Sequence, residues 1–243
     1  MSRTLVCSAM VLRSRPSGES NSEVTMLTAE EGIIKATVFG GAKSKLRAYA
    51  APYNSGQVWI YRDQAKDYGK ISDFDVKSWR PGLRELYERT MAAGGAAETI
   101  LSTHGGGGEW REALSLAAAT MDALETANEE LCSRILIHFL WRWAGFLGLQ
   151  PQVEACVTCE KKADALWFSA REGTVSCDDC APEQTGLIRL DLGCRRWLEA
   201  VGRLEPSQLG RYSMDTKSFR EVKSLVTAVM TAALGKRLAS WDW

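Results

Sequence analysis

Two Cys-x-x-Cys pairs, Cys156-Val157-Thr158-Cys159 and Cys177-Asp178-Asp179-Cys180, stand 17 residues apart. A two-residue gap lets both thiolates of a pair turn toward one metal. The intervening stretch is long enough for a short hairpin that brings the second pair over the first. Four thiolates at about 2.3 Å complete the tetrahedral shell of Zn²⁺ and leave no position for water or substrate, so the zinc expected here is structural. An iron–sulfur cluster also takes four cysteines, and two reducible dithiols are a third reading. The other cysteines, Cys7, Cys132 and Cys194, read as ordinary buried thiols. An odd total of seven, four of them in tight pairs, fits a reducing compartment rather than a disulfide scaffold.

Upstream of the pairs the pattern changes twice. Residues 4–79 read as β: Thr4–Arg13, Glu23–Thr28, Ile33–Phe39, Gln57–Tyr61 and Lys70–Trp79 are strand-like. Ala29-Glu30-Glu31-Gly32 reads as a four-residue turn between the second and third. Five short strands in about 75 residues suit a small closed barrel of the OB type. From Pro81 the period becomes helical. Leu83, Leu86, Tyr87 and Met91 begin one helix, residues 109–127 and 130–147 supply two more, and Gly105–Gly108 breaks the run. After the cysteines, residues 187–204 read as a strand and a helix, and Lys217–Leu238 as a final helix. The expected fold is therefore multidomain α+β. An OB-fold barrel spans 1–80, a helical domain 81–150, a Cys₄ zinc module 151–186, and C-terminal helices, packed on the helical domain, 187–243.

Net charge is zero, but its distribution is uneven: +4 over residues 1–80, −5 over 81–155, −3 over 156–186 and +4 over 187–243. The basic loop Lys43–Arg47 lies close in sequence to Tyr49, Tyr53, Trp59 and Tyr61, a combination that OB barrels use on single strands. A solvated loop beside core aromatics is the alternative. Gly40-Gly41-Ala42-Lys43-Ser44 lacks the glycine spacing of a phosphate loop. The two histidines, His104 in a glycine run and His138 in an apolar helix, have no paired nucleophile, so no catalytic residue is expected. There is no membrane-length apolar run and no signal-peptide pattern, and the cytoplasm is the expected location.

Several segments together resemble the RecO family of bacterial recombination mediators. These are Met10-Val11-Leu12-Arg13, Gly18-Glu19-Ser20, Thr25-Met26-Leu27-Thr28 with Glu31-Gly32, and Gly40-Gly41-Ala42-Lys43-Ser44-Lys45-Leu46. The most specific match is Leu147-Gly148-Leu149-Gln150-Pro151 followed by Cys156-Val157-Thr158-Cys159. The resemblance implies a non-enzymatic protein of DNA repair, nucleoid-associated, that binds single- and double-stranded DNA and anneals complementary strands. It also implies that the protein works with RecR to load the RecA recombinase onto DNA coated by single-strand-binding protein. On this reading Arg13, Arg15, Lys35, Lys43, Lys45 and Arg47 meet phosphates, with Arg195, Arg196 and Arg203 in reserve. Arg134 and Arg142, on the apolar helix, are expected to take the acidic tail of single-strand-binding protein. An RNA-binding OB protein with a zinc ribbon and a cysteine-pair redox protein are the rival readings.

Overall fold

Alternation of apolar side chains builds the first unit. The computed structural model describes residues 4–40, 44–63, 68–183 and 185–241. Strand β1 (Thr4–Ser17) turns Cys7, Ala9 and Val11 inward, and β2 (Asn21–Thr28) adds Val24 and Met26. Ala36 and Val38 come from β3 (Gly32–Val38), Val58 and Ile60 from β4 (Ser55–Asp63), and Ile71 and Phe74 from β5 (Tyr68–Ser78). The strands close in the order β1-β2-β3-β5-β4, antiparallel except where Thr37 of β3 meets Lys70 of β5 in parallel. This five-stranded closed barrel is the expected OB-fold, and closure leaves the sheet without a free edge.

Two local features differ from expectation. The turn between β2 and β3 has three residues, because the Thr28 hydroxyl donates to the Gly32 carbonyl at 2.9 Å and accepts from the Glu31 N–H, closing the loop early. Within the basic segment, Lys45–Tyr49 forms a short helix, α1, whose Leu46 and Tyr49 pack on the barrel core.

The outer face of β1 and β2 is apolar as well. Met10, Leu12 and Leu27 belong to a second, larger core shared with the helices. A 3-10 turn at Pro81–Arg84 precedes α2 (Tyr87–Ser102), α3 (Trp110–Glu125) and α4 (Glu129–Phe146). Asn128 caps α4 by accepting the Leu131 N–H. The helix buries Ile135, Phe139 and Trp143, and large side chains such as these each contribute about 1.5–3 kcal/mol on leaving water. The glycine run packs against the end of α4. A Cβ on Gly107 would lie 2.3 Å from the Phe146 carbonyl oxygen, so only glycine fits there.

Strands β6 (Ala165–Ser169) and β7 (Thr174–Ser176) form the hairpin between the cysteine pairs. Strand β8 (Ile188–Asp191) pairs with the other edge of β6, giving a three-stranded sheet. Helices α5 (Leu192–Val201) and α6 (Thr216–Leu234) complete the chain, α6 packing on α4. The last helix stops four residues before the expected Leu238, because Gly235 takes a left-handed conformation (φ 67°) that ends the helix. Among the described residues, no helix is long and apolar enough to cross a membrane.

Candidate metal centre and nucleic-acid interface

Each cysteine pair forms a tight turn at one end of the β6–β7 hairpin. The Glu160 N–H donates to the Cys156 carbonyl at 2.9 Å, and the Ala181 N–H to the Cys177 carbonyl at 2.8 Å. A bond from the Val157 N–H to the Val175 carbonyl ties the first turn to β7. The result gathers Cys156, Cys159, Cys177 and Cys180 so that their sulfurs all lie within 4.8 Å of one another. Cys159 Sγ and Cys177 Sγ are 3.7 Å apart. The edge of a tetrahedron with 2.3 Å metal–sulfur bonds is about 3.8 Å, whereas a disulfide needs about 2.05 Å. The donor set therefore fits a tetrahedral metal.

Electrostatics point the same way. Burial pushes the Cys156 thiol up, but hydrogen bonds from the backbone at Cys177, Cys159 and Thr158 outweigh it and bring it down to about 6. Hydrogen bonds with Cys159 and Cys177 push Cys180 up to about 12, as expected where several sulfurs compete for few protons. A cation at the centre would remove that competition. Cys156 and Cys177 are buried and Cys159 is exposed, so one side of the cluster opens to solvent.

Behind the cluster sits a residue that sequence reasoning placed elsewhere. Arg195, held in reserve for phosphate, is only 3% exposed and lies in the interior. Its guanidinium donates to the carbonyls of Glu154 at 3.2 Å, Asp164 at 3.3 Å, and Ala163. Those carbonyls flank the first cysteine turn on both sides, so α5 clamps the loop that carries Cys156 and Cys159. No pattern in the sequence distinguishes Arg195 from its exposed neighbour Arg196. The remaining cysteines are buried as expected. Burial pushes Cys7 up to about 12 and also raises Cys132 and Cys194. Asp191 caps α5 through the Cys194 N–H at 2.8 Å.

On the barrel, Arg13 of β1 lies opposite Thr25, which lies opposite Lys35 of β3. Arg15 lies opposite Glu23 on the same pair of strands. Directly opposed residues share a face, so Arg13, Arg15 and Lys35 lie together on the outside of β1-β2-β3. Lys45 and Arg47 are exposed on α1, and Lys43 lies outside the described residues. Of the four aromatics singled out, Tyr49 packs edge-on against Trp79 at 5.2 Å, while Tyr53 and Trp59 are half-buried and Tyr61 is exposed.

Arg134 and Arg142 are both partly buried on α4. Arg134 bonds to the Tyr212 carbonyl at 3.3 Å and pairs with Glu130; Arg142 bonds to the Leu204 carbonyl at 3.2 Å. They staple α4 to the segment between α5 and α6. His138 Nε2 reaches the same Leu204 carbonyl at 3.0 Å, and burial lowers the imidazole to about 4, so it is neutral and donates there.

Comparison with known proteins covers both units. Residues 1–79 match the family model described as recombination protein O N terminal, and residues 84–242 match recombination protein O C terminal. The DNA repair protein RecO of Desulforamulus reducens is 24% identical over 239 residues, covering 97% of this chain and 91% of that protein. The namesake from Bacillus subtilis is 25% identical, with 90% and 86% covered. That of Anaeromyxobacter sp. strain K is 28% identical, with 95% and 92% covered.

Proposed function

The chain belongs to the RecO family of DNA repair proteins, and from that premise we propose that it is a non-enzymatic recombination mediator. It binds single- and double-stranded DNA, anneals complementary strands, and with RecR helps load RecA onto DNA coated by single-strand-binding protein. The observation that carries this reading is the closed OB barrel with Arg13, Arg15 and Lys35 aligned on one outer face and Lys45 and Arg47 exposed on α1. Basic side chains on a barrel exterior meet phosphates without regard to sequence, which annealing of arbitrary complements requires. Lys43 joins this set by its place in the basic loop. The protein works in the cytoplasm, at the nucleoid.

Labour divides along the chain: residues 1–80 hold DNA, 81–150 form the helical docking domain, 151–186 form the metal module, and 187–243 form the helical segment packed on the helical domain. The four cysteines hold Zn²⁺. The ion supplies four bonds that fix the two turns and no open position for chemistry, so its part is structural. Arg134 and Arg142 offer their remaining donors to the acidic tail of single-strand-binding protein, a carboxylate being the natural partner of a guanidinium.

Complementary oligonucleotides coated with single-strand-binding protein provide the test. With this chain present they should anneal within the time in which the coated strands alone stay apart. Equal rates with and without the chain would sink the reading.

A further inference from the structure

Register places one row of residues around the barrel exterior. Tyr61 of β4 lies directly opposite Lys70 of β5, Lys70 is the parallel partner of Thr37 on β3, and Lys35 stands two residues along β3 on the same face. Phe39, two residues the other way, carries the Lys70 ammonium 5.4 Å from its ring centroid. Phe39 and Tyr61 are 41% and 36% exposed, unusual for large aromatics on a barrel whose interior is already filled by Phe74, Ile60 and Ile71. Two carboxylates belong to this face: Glu23, which lies opposite Thr37 and also faces Arg15, and Asp63, two residues beyond Tyr61 on β4.

We propose that Phe39 and Tyr61 form a stacking platform for the bases of an unpaired DNA strand, with Lys70 between them and Lys35 beside them meeting its phosphates. This rests on the DNA-binding reading above and names the part of the barrel that touches bases rather than backbone. The occupant follows from charge. A second copy docking symmetrically would set the same lysines against each other, whereas a nucleic-acid strand brings an anion with every base. Every base has a π face, so such a platform holds any sequence. Lys70 over Phe39 also keeps one ring face pre-oriented by cation–π attraction.

The experiment measures anisotropy of the full chain with a mixed-sequence DNA strand and with an abasic strand of equal phosphate count, at several salt concentrations. The parent should prefer the base-bearing strand. The double variant Phe39→Ala/Tyr61→Ala should lose that preference, its Kd for the base-bearing strand rising at least about tenfold, with the salt dependence unchanged. Lys35→Ala and Lys70→Ala should each flatten the slope of log K against log salt by about 0.7 and keep the preference for bases. Phe39→Tyr/Tyr61→Phe should behave as the parent. A Phe39→Trp protein gives a reading that survives poor folding of the alanine variant: its added emission should be quenched by the base-bearing strand and not by the abasic one. A parent that binds both strands equally, with normal salt dependence, would overturn the platform and leave DNA binding standing. Binding of neither strand would overturn both readings. A preference for RNA that depends on the same two rings, or a change of oligomeric state in the alanine variant with DNA affinity unmoved, would assign the patch to another occupant.

Discussion

His138 is fully buried with its Nδ1 unpartnered and its Nε2 donating to Leu204. Burial lowers it to about 4 from the ordinary 6.5, so the unfolded chain takes up this proton before the folded chain does. The stability it contributes is complete above about pH 6.5 and falls as pH drops toward 4, by as much as about 3 kcal/mol. Urea unfolding at pH 7.5 and 5.5, for the parent and His138→Phe, checks this. Protonation of the cysteines is common to both proteins, so a shallower loss in the variant is the histidine's share, and parallel curves would refute it. Arg195 works by a different route. Its fork reaches carbonyls on both sides of the first cysteine turn, a span that the single ammonium of lysine does not cover. Arg195→Lys should leave buried carbonyls unsatisfied, destabilise the module by roughly 3 kcal/mol, and speed loss of metal to a chelator. An unchanged release rate would make the clamp irrelevant to the site.

At the scale of elements, the four-cysteine module is less separate than its sequence makes it look. Ligands closing one small loop would be expected to stabilise only that loop. Cys156 and Cys177 instead lie in the same core as Leu166, Leu198 and Val226, and β8 extends the module's sheet into α5. Cys177→Ser should therefore abolish metal binding and raise hydrogen exchange in β6–β8 and α5, while β1–β5, filled by their own core, keep their protection. Exchange confined to residues 150–185 would restore the picture of an isolated module. Helix α1 and the early end of α6 show why other boundaries were hidden. Five residues with apolar positions at Leu46 and Tyr49 give too little periodicity to recognise. In α6 the apolar face runs on to Leu238 in sequence, although Gly235 has already turned the chain.

For the molecule as a whole, the barrel and the helical core meet around Arg80. Its side chain is buried, with the backbone at φ 46°, and it bonds the Tyr53 carbonyl at 2.6 Å and the Ser55 hydroxyl at 2.9 Å on the barrel side. Toward α3 it pairs with Asp122 at 2.6 Å. Asp122 is half exposed, so the ion pair itself is weak, and the larger cost of Arg80→Met is the buried carbonyl left without a donor, about 2 kcal/mol. Unfolding followed by tryptophan emission and by far-ultraviolet circular dichroism should coincide in the parent and separate in the variant, as the two cores lose their link; coincident curves would show that apolar contact alone couples them. The sequence by itself determined the four-cysteine cluster, because cysteine spacing on two tight turns is a local property. It determined the barrel and the helices for the same reason, since periods of two and 3.6 are written residue by residue. Which arginines face water was decided only by tertiary structure. Arg13, Arg15, Arg80, Arg134 and Arg195 are the same residue type in the chain, and the packing of distant elements alone makes one a surface cation and another a buried clamp, since a guanidinium enters the interior only where remote carbonyls or a carboxylate converge on it.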